Sequence, residues 1–143
     1  MTSSGDFKIN YYFCGFEKDK MQHTYKERRK ELLAWAKENL IEKEVFHTEF
    51  CNHIIFSVKG IKEYINQPHE FYYERNEMLK NIESVIKGSE YKGYGFFKAR
   101  IFHIFEIEIN GKNSWLIAHE HQGRKISLYS ISDNPKVLTD IKK

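Results

Sequence analysis

The sequence has few residues that interrupt or cross-link a chain. Its 143 residues include two prolines, eight glycines and two cysteines. With no Pro/Gly/Ser-rich linker and no internal repeat, we predict a single domain spanning residues 1–143. Cys14 and Cys51 form neither a Cys-x-x-Cys pair nor a Cys/His cluster, which argues against structural zinc. We expect two free thiols, as in a reducing cytosol.

Long apolar runs and a strong net charge are also missing. Residues 1–10 lack the apolar core of a signal peptide, and no run approaches the roughly 20 apolar residues of a membrane helix. We therefore expect a cytoplasmic protein with no membrane partner. The formal net charge of +3 is compatible with a polyanionic partner, although dedicated nucleic-acid binders are usually more basic. An aromatic content of 15 % excludes a disordered chain.

The N-terminal part of the chain shows helical patterns. Thr24 and Glu27 have the spacing of a capping box, and the apolar stripe behind them predicts a helix to about Lys43. We treat residues 7–16 as a short strand or extended segment. Residues 54–58 are the best candidate for a first core strand, broken at Lys59-Gly60, and residues 61–66 read as a short helix.

A second long helix is predicted between Pro68, in its first turn, and Gly88, as a left-handed C′ residue. Its buried side follows helical spacing. Its opposite side forms one ridge, made by His69, Tyr73, Asn76 and Lys80. Residues 90–98 follow as a glycine-rich aromatic loop, in which Tyr94 is a candidate for stacking on a ligand.

Three antiparallel strands are predicted at residues 101–109, 114–120 and 125–131. The first connection, Asn110-Gly111, is the dipeptide that suits a type I′ hairpin turn. It pairs Ile109 with Lys112 and places His103 and His119 on opposite faces. The second connection lies near Gln122-Gly123. If it has two residues, Tyr129 shares a face with His103; if it has three, Tyr129 joins His119.

These elements predict an α+β fold in which N-terminal helices pack on a C-terminal antiparallel β-meander. Within the single domain we distinguish a helical extension at residues 1–45, an α+β core at 46–135 and a polar tail at 136–143 that we expect to fray.

The side chains suit metal-independent RNA cleavage, in which the 2′-OH attacks the neighbouring phosphate. This reaction needs a base, an acid and a cation for the developing charge. Histidine serves either proton role at neutral pH. The candidate catalytic residues are His69, His103, His119, Lys59 and Tyr129, and the candidate substrate-binding residues are Lys80, Arg100 and Tyr94.

We expect no cofactor and no metal. His119 and His121 share a face of their strand and are a possible ligand pair, but no third ligand is evident in the sequence.

The segment IIFSVKGIKEYINQPHEFYYERNEMLKNIESVIKGSEY, with the meander ending in SLYSI, resembles phage- and mobile-element-associated nuclease domains of the barnase/EndoU/colicin/RelE-like superfold. The resemblance covers about residues 50–133 and is carried by four short stretches: residues 57–63, Pro68-His69, the helix with Arg75 and Leu79, and residues 128–130. It implies a helix-plus-four-strand α+β fold, RNA cleavage without metal, and a position at the end of a larger phage or toxin polypeptide.

The resemblance does not transfer a fixed catalytic set, because such sets vary between its branches. Lys59, His69 and Tyr129 lie on the matching stretches, whereas His103 and His119 come from the register argument. We expect a phage- or toxin-associated ribonuclease-like domain acting on RNA, with tRNA among the candidate substrates and an immunity or antitoxin protein as a candidate partner. The oligomeric state stays open.

The sequence is also compatible with two other functions. One is a non-catalytic protein-interaction module that keeps the same fold. The other is a small-ligand-binding domain that uses the aromatic loop. For the ribonuclease, we expect two histidines, or a histidine and a lysine, to lie within about 7 Å of each other in an open cleft. We expect that site where one strand histidine, Tyr129 and the His69 end of the second helix meet.

Overall fold

The computed structural model describes the chain from residue 15 to 121 and from 125 to 143, with side chains from Tyr25 onward. In order, its elements are α1 (Gly15–Asn39), β1 (Glu44–His47), β2 (Asn52–Ile55), α2 (Val58–Asn66), α3 (Tyr72–Glu77), a 3-10 helix (Met78–Asn81), α4 (Ile82–Gly88), β3 (Glu90–Phe97), β4 (Arg100–Ile109), β5 (Lys112–Glu120), β6 (Ile126–Ser132) and a second 3-10 helix (Pro135–Leu138). No helix of the described part is long and apolar enough to cross a membrane.

The strands form one six-stranded sheet in the order β1-β2-β6-β5-β4-β3. All neighbouring strands are antiparallel except β2 and β6, which pair in parallel through Ile55 and Ser127. The predicted α+β fold, with N-terminal helices and an antiparallel meander, is therefore confirmed. The meander β4-β5-β6 forms the centre of a larger sheet, extended by β1 and β2 on one side and β3 on the other.

The first hairpin has the predicted register. Asn110 and Gly111 both have positive φ, 49° and 80°, and Ile109 pairs with Lys112. In a strand successive side chains point to opposite faces. His103, which pairs with Ala118, and His119, which pairs with Phe102, therefore lie on opposite faces of the sheet, as predicted.

The second hairpin settles the face of Tyr129. The His121 N–H donates to the Lys125 carbonyl, and His119 pairs with Ser127, which is the register of the three-residue alternative. A bulge follows, because Leu128 pairs with Ala118 whereas Ser130 pairs with Ile117. Tyr129 lies in the bulge, and its ring contacts that of His119 at a centroid distance of 6.3 Å. The dipeptide Gln122-Gly123 itself lies outside the described residues.

The helices cover one face of the sheet, which we call the helix-covered face. Its core joins Leu32 and Ala36 of α1, and Leu40 just after that helix, to strand residues such as Phe105 and Leu116. Burial of such apolar side chains is the main stabilising contribution in a domain of this size. The opposite face of β3–β6, which we call the open face, carries His119 and Tyr129 and is partly covered by residues 135–143.

The helix α2 packs along the edge of β6, where β2 ends. Ser57 is its N-cap, and the Ser57 hydroxyl accepts a hydrogen bond from the Gly60 N–H at 3.0 Å. The predicted strand at residues 54–58 is therefore wrong at its end, since β2 stops at Ile55. The Lys59-Gly60 pair lies in the first turn of α2 rather than breaking a strand.

The predicted N-terminal helix has different limits in the structure. It already includes Gly15, so Thr24 lies inside α1 and cannot cap it, and it ends at Asn39 rather than Lys43. Of the predicted extended segment 7–16, residues 7–14 lie outside the described part of the chain.

The predicted second helix is divided into α3, the first 3-10 helix and α4. Pro68 precedes α3, whose N-cap is Phe71, because the intervening residues bond to His69 and Asp133 instead of continuing a helix. Gly88 is the last residue of α4 and has no positive φ, so it is not a left-handed C′ residue. The predicted ridge does not exist, since His69 and Asn76 are buried.

The predicted loop at residues 90–98 is strand β3, and the tail does not fray. Tyr94 and Lys142 exchange two backbone hydrogen bonds, of 2.7 and 2.8 Å. A Cβ at Gly93 would overlap the Lys142 carbonyl oxygen, and Gly95 packs against Ile141. The glycines that suggested a loop are thus the positions where the C-terminal segment approaches the edge strand.

Replacement of Gly60 by alanine tests the contact between α2 and β6. A Cβ at Gly60 would overlap the carbonyl oxygen of Leu128, so α2 must move away from β6. We expect Gly60→Ala to lower the free energy of unfolding in urea by about 1–3 kcal/mol. Gly88→Ala is the matched control, since nothing lies within 4 Å of that position. It should raise the stability by about 0.4–1 kcal/mol. A stabilising Gly60→Ala would contradict the packing.

Candidate functional site

His119 and His121 form a pair on the open face, at the end of β5. Their ring centroids are 4.2 Å apart. The His119 ring is 6 % exposed and stacks on Phe102 at 4.9 Å with an angle of 19° between the rings. His121 is exposed, and its Nε2 lies 2.7 Å from the hydroxyl oxygen of Ser127. The pair therefore combines one sheltered ring with one that meets solvent.

Positive charges surround the sheltered ring. Burial lowers the pKa of His119, and the nearby charges of His121, Arg100 and Lys59 lower it further. Arg100 is the first residue of β4, and Lys59 lies in the first turn of α2. The His119 imidazole is therefore neutral at pH 7 and can accept a proton.

Tyr129 completes this group of side chains. Its ring contacts Phe102 and His119, at centroid distances of 5.7 and 6.3 Å. Burial raises the pKa of Tyr129, and the carboxylate of Glu63 on α2 raises it further, so the hydroxyl keeps its proton and can donate a hydrogen bond. We call the group formed by Lys59, Arg100, His119, His121 and Tyr129 the open-face cluster.

His103 lies on the helix-covered face, away from the open-face cluster. Its Nδ1 is 3.0 Å from the Tyr91 hydroxyl, its Nε2 is 2.8 Å from Oε1 of Glu120, and its ring packs on Phe50 at 4.7 Å. Burial raises the pKa of Tyr91, which keeps its proton. Both ring nitrogens of His103 are thus engaged within the protein. These contacts tie β3, β4 and β5 together.

His69 is buried near the other end of β5. The Phe71 N–H donates to its Nδ1 at 2.8 Å, so in the neutral ring Nε2 carries the proton and donates to Oγ of Ser114 at 2.9 Å. Ser114 precedes His119 by five residues, about 16 Å along a strand, and lies on the opposite face. The expected meeting of His69 with a strand histidine and Tyr129 therefore does not occur.

Two predicted substrate-binding residues also lie elsewhere. Lys80, in the first 3-10 helix, forms an exposed ion pair with Glu77 at 3.8 Å. Tyr94 pairs with His103 on β4, and its backbone binds Lys142.

The structure thus brings together four of the eight predicted site residues: Lys59, Arg100, His119 and Tyr129. His121 is not among the eight predicted site residues, although the two-residue spacing that places it beside His119 is visible in the sequence. The described residues include no group of three or more His, Cys, Asp or Glu side chains placed to hold a metal ion.

The hydrogen bonds of His69 predict an acid-sensitive fold. Burial lowers the pKa of His69 below its ordinary value of 6.5, so the folded state favours the neutral ring. The free energy of unfolding should then fall as the pH drops from about 7.5 to 5.5, because the unfolded chain binds the proton more readily. Urea unfolding at several pH values measures this slope.

His69→Asn is the control for this pH dependence, because asparagine offers an oxygen to the Phe71 N–H but does not titrate. We expect a shallower slope for the variant than for the wild type. Equal slopes would show that His69 does not contribute.

The comparison with protein families finds a match over most of the chain. The family model of large polyvalent protein-associated domain 3 matches residues 23–129, a range that includes every residue of the open-face cluster. No curated protein and no solved structure matches the chain significantly.

Proposed function

The chain belongs to the family of large polyvalent protein-associated domain 3. We propose that it is a metal-independent ribonuclease that cleaves RNA at the open-face cluster. The family is associated with phages and mobile elements, in agreement with that part of the resemblance. We propose further that the protein is related to the barnase/EndoU-like nucleases and acts as a toxin. The observation that carries it is the 4.2 Å separation of the His119 and His121 rings on a face that also bears two cations.

The proposed reaction is a transesterification. Neutral His119 accepts the proton of the 2′-OH, whose oxygen attacks the adjacent phosphorus. The bond from phosphorus to the 5′-oxygen breaks, and His121 donates a proton to that leaving oxygen through Nδ1, since its Nε2 bonds Ser127. The products are a 2′,3′-cyclic phosphate and a 5′-hydroxyl.

Two cations of the cluster stabilise the negative charge that develops on the phosphate. Arg100 and Lys59 are both exposed cations close enough to lower the pKa of His119. They offset the charge that develops on the phosphate oxygens. The Tyr129 hydroxyl, whose pKa is raised by burial and by interaction with the Glu63 carboxylate, keeps its proton beside the same site. RNA in the cytoplasm, tRNA included, is the substrate we propose, and an immunity or antitoxin protein is the partner that such an activity would require.

A second candidate is a non-catalytic protein-interaction module with the same fold. It is favoured by Phe96 and Phe97 on β3, whose side chains are 63 % and 61 % exposed. Large exposed aromatic side chains are common in the buried centre of protein interfaces. Under this alternative the protein binds RNA weakly or not at all. Replacement of His119 or His121 then leaves its affinity for the partner protein unchanged.

The proposed cleavage is tested with total RNA in the presence of EDTA. We expect cleavage by the wild-type protein and a loss of about 100-fold or more in the His121→Ala and His119→Ala variants, the usual contribution of a general acid or base. Lys80→Ala is the matched surface control and should cleave normally, because Lys80 lies outside the cluster. Circular dichroism checks that each variant folds. Folded wild-type protein without cleavage would leave the interaction module as the better function.

The cations near His119 predict how cleavage depends on pH. Because burial and the neighbouring charges lower the pKa of His119, the rate should rise with pH through a midpoint below 6.5. Arg100→Ala removes one of those charges, so the midpoint should move to higher pH. The Lys80→Ala profile should coincide with that of the wild type. An unchanged midpoint in Arg100→Ala would exclude His119 as the titrating base.

A further inference from the structure

A pocket of about 350 Å³ lies on the open face beside the cluster. Its floor is formed by the sheet residues Phe102, Ile104 and Ile117. Its outer wall is the C-terminal segment, residues 135–143, which the bridge between Tyr94 and Lys142 holds against the edge strand. The volume is at the lower end of the range for small-molecule sites, roughly 300–1,000 Å³, so the pocket suits one compact group.

The pocket is continuous with the open-face cluster. Phe102 lines the pocket and also stacks on His119. Tyr129 lines the pocket as well, with its ring 5.7 Å from that of Phe102. A ligand bound on Phe102 is therefore only one ring away from the histidine pair. A molecule that fills both places needs a flat apolar part joined to a charged part.

The rim adds polar groups and cations to this apolar floor. Lys136, Thr139 and Asp140 bring hydrogen-bond donors and acceptors from the C-terminal segment. The exposed ring of Phe97 stands at the rim, with the ammonium of Lys98 5.3 Å from its centre. This combination of aromatic faces, edge donors and acceptors, and adjacent cations is the usual composition of sites for single-stranded nucleic acids.

We propose that this pocket binds one nucleobase of a single-stranded RNA whose phosphate backbone runs past Arg100 and Lys59. The base packs on Phe102 within the pocket, and the neighbouring phosphate lies at the histidine pair. The inference rests on the proposed ribonuclease function, since it places the same RNA at the same cluster. It adds that the substrate is unpaired at this nucleotide, because a base held in a duplex cannot enter the pocket.

The test measures binding rather than cleavage. The probes are a fluorescent 2′-O-methyl RNA hexamer, which has no nucleophile for cleavage, and an abasic hexamer with the same phosphates. Fluorescence anisotropy gives both dissociation constants. We expect wild-type protein to prefer the oligomer with bases by about tenfold or more, the usual effect of stacking one base. The same hexamer in a duplex should bind as weakly as the abasic one.

Two variants locate the preference in the pocket. Phe97→Ala removes a ring that is 61 % exposed, and Thr139→Trp places a large side chain at the exposed rim. In both variants the ratio of the dissociation constants of the abasic and the complete hexamer should fall towards one. Phe46→Ala is the matched control, because Phe46 is 46 % exposed on β1 and does not line the pocket. Its preference should equal that of the wild type.

The outcomes separate the pocket from the chemistry. The inference is supported if the wild-type protein prefers the oligomer with bases and the pocket variants lose that preference. This holds even if the wild-type protein cleaves no RNA. Equal affinity for the abasic and complete oligomers overturns it, and leaves cleavage at the histidine pair standing if total RNA is still cut. A preference that survives in both pocket variants also overturns it. Failure to bind either oligomer overturns the pocket as well, and the ribonuclease falls with it only if total RNA is also left uncut.

Discussion

The buried guanidinium of Arg75 holds the helical part of the chain against the last strand. Its side chain is 0 % exposed and donates to the carbonyls of Gln67 and Ile131, at 2.6 and 3.1 Å, and to the Asn76 side chain at 3.0 Å. It also packs over the Tyr64 ring at 4.9 Å. Burial lowers the pKa of Arg75, so these acceptors must offset the cost of removing the charge from water. Only a planar group with several donors can satisfy all three at once.

This arrangement determines where the candidate site forms. Arg75 ties the segment after α2 to β6, while Gly60 lets the start of α2 approach the same strand. Because α2 continues along the β6 edge where β2 ends, Lys59 reaches the open face close enough to lower the pKa of His119. The register of the second hairpin, in which His119 pairs with Ser127, then places Tyr129 on that face. The core contacts of Arg75 and Gly60 thus determine where the charged side chain of Lys59 lies at the surface. The residues next to Lys59 in the sequence do not predict that position.

Local interactions explain which features were predictable. The Asn110-Gly111 turn fixes the register of β4 and β5 by itself, so the opposite placement of His103 and His119 followed from the sequence. The site needed long-range information. The course of the C-terminal segment depends on its fit against Gly93, and the face of Tyr129 depends on the length of the second hairpin connection, which the sequence leaves open between two and three residues. Alternation along a strand predicted that His121 would lie beside His119, but it gave no reason to assign a proton-transfer role.

The hydrogen-bond partners of the histidines distinguish structural from chemical roles where a count of candidate residues cannot. His69 and His103 have both ring nitrogens bonded within the protein, so proton transfer by either ring would break contacts that hold the fold. His119 has no such hydrogen bond to the described residues, so proton transfer by its ring would break none of those contacts. In the proposed reaction the 2′-hydroxyl of the substrate would bond to this ring. The same face adds cations and an apolar pocket, so that an RNA strand would find its phosphate, sugar and base sites together.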